Sequence, residues 1–124
     1  MKALVLVINL CAGSSTIEYA SIIYVDGAFF VIGGYNKSKD IGRLDAITMI
    51  WSKAGELLVG RHGHNAIFDG SSVLVVGGSG SQKTEKCTIS SNKMTCTENN
   101  PELNDYYRYP ELFLVSKEFC KNFP

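Results

Sequence analysis

Residues 20–34 read Ala-Ser-Ile-Ile-Tyr-Val-Asp-Gly-Ala-Phe-Phe-Val-Ile-Gly-Gly, and residues 65–78 read Asn-Ala-Ile-Phe-Asp-Gly-Ser-Ser-Val-Leu-Val-Val-Gly-Gly. Each stretch holds a β-prone run, an Asp-Gly pair, a second β-prone run and a closing Gly-Gly. Asp26-Gly27 and Asp69-Gly70 are hairpin signals, because glycine accepts positive φ and aspartate bonds to its own backbone. The pairs Gly33-Gly34 and Gly77-Gly78 lie 44 residues apart. The same order of signals at one spacing marks an internal repeat.

Residues 20–25 and 28–33 read as one hairpin, 64–68 and 72–77 as another. Phe29 to Ile32 and Val73 to Val76 are continuous apolar runs, so these strands are expected to be covered on both faces. Small sheets stacked side by side in a radial array supply such cover. Past each Gly-Gly the chain turns polar, at 35–42 and 79–83. It becomes β-prone again at 44–51 and 84–90, then at 93–97 and 111–115. Helix signal is poor throughout, so the expected class is all-β.

Four cysteines stand at positions 11, 87, 96 and 120. Cys87 and Cys96 flank a turn-prone centre, and a hairpin there would set their sulfurs opposite each other. A cross-strand disulfide follows if the protein meets an oxidising compartment. Two reduced thiols follow if it does not. No Cys-x-x-Cys motif occurs, which speaks against zinc.

The order of these features resembles the kelch repeats of a β-propeller. The matching residues are Phe29 to Gly34, Trp51, Gly55-Glu56-Leu57, Arg61, His64, Asp69-Gly70 and Val73 to Gly78. The resemblance implies four-stranded antiparallel blades. The double glycine would end a blade's second strand. Trp51 would sit on a fourth strand and pack between blades, and Arg61 with His64 would open the next blade. It covers about residues 18–96, as blades over 18–59 and 60–105. Residues 106–124 would start a further blade or form a terminal segment. No Tyr-Asp pair precedes Trp51, so the first blade's outer strands are expected to be shortened or misregistered. No Trp stands near 93–97, where Cys87 and Cys96 would replace an aromatic staple with a covalent one. A blade takes about 45 residues and a ring closes with at least four. The 124 residues therefore read as an incomplete ring: a fragment, or a subunit that closes by self-association or with remaining blades.

Twelve basic and twelve acidic residues balance, so net charge drives no face towards nucleic acid or anionic lipid. The start, Met1-Lys2 followed by Ala3 to Ile8, reads as a weak signal peptide or a first strand over 1–17. No run of about 18 apolar residues exists to span a membrane. Asn36-Lys37-Ser38 is a glycosylation tripeptide in a polar turn. Cysteine use slightly favours an extracellular site over a cytoplasmic one.

His62 and His64 are the only histidines. They suit a general base or a copper ligand, as in a galactose-oxidase-like propeller, or a ring bonded to backbone. The structural reading leads, because an oxidase centre gathers Tyr and His ligands from several blades. Arg61 is expected to pair with a nearby carboxylate at a blade edge. Gly77 to Ser81 lacks the phosphate-loop pattern. Tyr106, Tyr107, Arg108 and Tyr109 have the chemistry of a protein contact or of a folded blade edge. The expected function is a non-catalytic protein-interaction scaffold without cofactor or metal. The resemblance implies contact through loops such as those at 35–42 and 79–83, while the residues themselves identify no binding face. The alternatives are a piece of a secreted copper enzyme and a non-functional remnant.

Overall fold

The computed structural model describes residues 19–36, 38–79, 81–99, 102, 103, 110 and 112. Its strands are β1 (Ser21–Val25), β2 (Ala28–Ile32), β3 (Asp40–Asp45), β4 (Trp51–Glu56), β5 (Asn65–Phe68), β6 (Val73–Val76), β7 (Thr84–Ser90) and β8 (Lys93–Asn99). They form two four-stranded antiparallel sheets, in the order β1-β2-β3-β4 and β5-β6-β7-β8. No helix occurs among the described residues. The described residues are thus all-β and form two repeated propeller-like blades. The signal-peptide reading of 1–17, Cys11, Cys120, the segment Tyr106 to Tyr109 and nearly all of 111–115 lie outside the described residues.

Turn chemistry sets the strand ends. Asp26 and Gly27 have φ of 49° and 77°, the two positive values of a tight type I′ hairpin. Ser91 and Asn92, at 51° and 64°, do the same between β7 and β8. The second Asp-Gly pair opens a wider loop. There the Asp69 carboxylate accepts the N–H groups of Ser71 and Ser72 at 2.9 and 2.8 Å.

The expected strand at 44–51 is corrected. β3 ends at Asp45, whose Oδ1 accepts the N–H groups of Ile47 and Thr48, both at 2.9 Å. This local capping outcompetes the β propensity of Ile47 and Thr48 and turns the chain over 46–50. The link after Gly34 is also shorter than expected, because Asp40 already belongs to β3. The outer strands of blade 1 have six residues each, against seven in blade 2, and their register shifts between Ile41 and Gly42.

Alternation then divides each sheet into two faces. Ile23, Val25, Phe30, Ile32 and Ile41 point from blade 1 towards blade 2. Val73, Val75, Cys87, Met94 and Cys96 meet them in one buried cluster. The outer strands touch most closely at Gly55, where a Cβ would overlap the Met94 carbonyl. Lys93 Nζ also crosses between the blades to donate to the Lys53 carbonyl at 2.8 Å.

The register exposes a correspondence between the blades. Tyr24, Phe29, Leu44 and Trp51 form one row across blade 1. Phe68, Val73, Cys87 and Cys96 form the matching row across blade 2. Cys87 and Cys96 are disulfide-bonded and stand where blade 1 has Leu44 and Trp51. The row in blade 2 lies against blade 1. Its counterpart in blade 1 faces away, with Tyr24 57% and Trp51 39% exposed.

The disulfide closes a loop with a sequence separation of 9, so it restricts the unfolded chain modestly. The double change Cys87→Ala, Cys96→Ala should cost about 2–3 kcal/mol on that chain-entropy basis. Urea unfolding of the variant, and of the native protein with and without reductant, measures it.

Candidate functional site

The polar residues singled out in the sequence converge on the link between β4 and β5. Arg61, His62, Gly63 and His64 thread between the two double glycines. A Cβ on Gly33 would lie 2.7 Å from the Arg61 carbonyl oxygen and 2.7 Å from the His64 ring; one on Gly78 would lie 2.8 Å from the His62 carbonyl oxygen. Gly33 has φ of 65° and Gly78 of 91°, so space and backbone both demand glycine there. The backbone is stitched on both sides. Gly34 N–H donates to Arg61 O at 2.9 Å, and Ser79 N–H donates to His62 O at 2.8 Å.

Arg61 is fully buried and paired with Glu85, also buried, at 2.7 Å. Its guanidinium donates further to the carbonyls of Gly77 at 3.1 Å and Lys83 at 2.7 Å. Glu85 in turn accepts the N–H groups of Leu58 at 2.7 Å and Val59 at 3.2 Å. Burial lowers the Arg61 pKa, and the charge and hydrogen bond of Glu85 offset part of that shift. A buried ion pair is sustained only where its remaining donors and acceptors are satisfied, and here they are.

Glu85 was not singled out in the sequence, yet it is the partner of Arg61. A signal for it exists. Glu85 precedes Cys87 by two residues on a strand, which places a carboxylate on the core face. Such a group needs a buried cation.

His64 is 5% exposed, and its Nε2–H donates to the Ile32 carbonyl at 2.8 Å. That bond assigns the proton to Nε2 and leaves Nδ1 buried without a partner among the described residues. Burial, with smaller contributions from the charge of Arg61 and from His62, pushes the His64 pKa down to about 4 against the opposing bond to Ile32. The ring of His62 lies 6.2 Å from that of Tyr19. No group of three or more His, Cys, Asp or Glu side chains placed to hold a metal occurs among the described residues.

The remaining candidates are scattered. Trp51 stands on the outward face of blade 1 over Gly42, and the described residues place no second sheet upon it. Asp69 is a loop cap, its pKa held down to about 2 by the N–H groups of Ser72 and Ser71. Asn36 is exposed in the link after Gly34. On the far face of blade 2, an open cleft of about 280 Å³ has an apolar wall of Ile67, Leu74 and Leu112 and a polar rim that includes Lys86 and Asn99. Asn65 Nδ2 donates to the Pro110 carbonyl beside it at 2.9 Å.

The His64 environment predicts a pH dependence. A histidine with a depressed folded pKa must gain charge when the chain unfolds in acid. Its stabilising contribution is present above the unfolded value of 6.5 and is lost as pH falls to about 4. The loss amounts to about 3 kcal/mol. His64→Gln, which cannot titrate, should flatten this part of the pH–stability curve in urea titrations at pH 7 and pH 4.5.

No family model matches the chain, and no curated protein matches it. Among solved structures, that of YjhT superposes with a TM-score of 0.63 at 11% identity, over 77% of this chain. The chain spans about 30% of the length of YjhT. At that identity the likeness shows a shared fold alone.

Proposed function

We propose that this chain is a non-catalytic protein-interaction scaffold of the kelch-repeat propeller kind, and that its contact surface is the outward face of blade 1. One observation carries the reading. Tyr24, Phe29, Leu44 and Trp51 are the repeat counterparts of the row that blade 2 buries, yet Tyr24 and Trp51 stay exposed. Ile47 and Ile50, in the turn that leads into Trp51, are exposed too, at 90% and 64%. Exposed aromatic and large apolar side chains are favoured at protein contacts. The loops at 35–42 and 79–83, favoured by the family resemblance, offer less. Ser81 is buried, and Lys83 is engaged with Glu98 at 2.9 Å.

The partner is a protein that presents an apolar sheet face, as blade 1 presents one to blade 2. A second copy of the chain carries such a face at Ile67, Leu74 and Leu112. Contact of one copy's blade 2 with the next copy's blade 1 is head-to-tail, and such contacts build rings or open stacks.

Trp51 is the single tryptophan of the chain, so its fluorescence reports on this surface. Native protein should associate with rising concentration in light scattering, with a blue shift of tryptophan emission. Tyr24→Lys with Ile50→Lys should leave it monomeric with red-shifted emission. A native monomer with solvent-exposed tryptophan at every concentration would contradict the reading.

A further inference from the structure

We propose that Asn36 is a site of N-linked glycosylation. Three observations converge. Asn36 and Ser38 have the acceptor spacing, and no other Asn-x-Ser/Thr tripeptide occurs in the chain. Asn36 is exposed with φ of 60°, in a turn closed by the bond from Ser38 N–H to Gly34 O at 3.2 Å. Finally, the Cys87–Cys96 disulfide belongs to an oxidising compartment, the setting in which such acceptors meet their transferase.

The turn is held at its base and open at its tip. Ser38 O accepts the Arg61 N–H at 3.2 Å, and Lys39 O accepts the Leu57 N–H at 2.8 Å. These bonds tie the end of the link to the buried Arg61 site. Tyr35, beside Asn36, is 49% exposed and offers an aromatic edge to a sugar. A glycan here projects into solvent without disturbing the blade contact.

The co-reactant is an oligosaccharide carried on a lipid pyrophosphate. Asn36 Nδ2 bonds to the anomeric carbon as the bond from that carbon to the pyrophosphate oxygen breaks. The oxygen leaves with the electron pair, and Nδ2 gives one proton to a base of the transferase. The side chain stays an amide, now substituted on nitrogen. This assignment is independent of the contact surface on blade 1, because the modified turn and that face lie on different parts of the sheet.

The test expresses the full chain behind a cleavable secretion signal in a eukaryotic host. Intact mass and peptide maps are read on the lumenal and the secreted pools, so poor secretion does not blunt the result. Native protein should carry a glycan that an amide-cleaving glycosidase removes, leaving Asp at position 36. Asn36→Gln and Ser38→Ala should abolish it, while Ser38→Thr should retain it. Unmodified Asn36 in chains whose Cys87 and Cys96 are joined would overturn the assignment. So would a glycan that persists in Asn36→Gln.

Discussion

The guanidinium of Arg61 is the point on which both blades depend. It is fully buried, so it must find charge and acceptors inside the protein. Glu85, Gly77 O and Lys83 O come from blade 2, and Val59 O, at 3.4 Å from Nε, comes from the link itself. The backbone of the same residue serves blade 1, through Gly34 and Ser38. Glu85 completes the lock by accepting two N–H groups from the start of the link, those of Leu58 and Val59. Removing either charge strands the other in the core, which typically costs 3–5 kcal/mol. The double glycines are the steric side of the same constraint. They clear the channel through which Arg61 to His64 passes.

Around this lock the two sheets use equivalent rows differently. Blade 2 buries Phe68, Val73, Cys87 and Cys96 against blade 1. Blade 1 turns Tyr24, Phe29, Leu44 and Trp51 outward. One repeat thus fills its row with a disulfide and the other with an aromatic side chain. The difference has a local consequence. The bonded cysteines tie β7 to β8 covalently, whereas Trp51 is held to its sheet by packing over Gly42.

Much of this was legible in residue order. The paired Gly-Gly and Asp-Gly signals mark the inner hairpins, because each has a strict backbone requirement. Cys87 and Cys96 could be placed opposite each other, because a two-residue turn at Ser91 and Asn92 leaves equal arms. The outer strands of blade 1 were obscured. Ile47, Thr48 and Ile50 look like strand residues, while the capping of their backbone by Asp45 is a short-range effect that propensity does not show. Glu85 was obscured for another reason. Its partner lies 24 residues away, and a buried charge is recognisable only once both ends are known. The exposed state of Trp51 depends on which face meets blade 2, and no single-strand pattern encodes that.

If the buried pair locks both sheets to the link, they should open together. Native-state hydrogen exchange tests this most directly. The amides of Gly34, Leu58 and Ser79, which bond across the link, should exchange at the same free energy as those of Val31 in blade 1 and Val75 in blade 2. That common value should equal the global unfolding free energy. Exchange of one blade's amides at a markedly lower free energy, with the link amides following it while the other blade stays protected, would contradict the account.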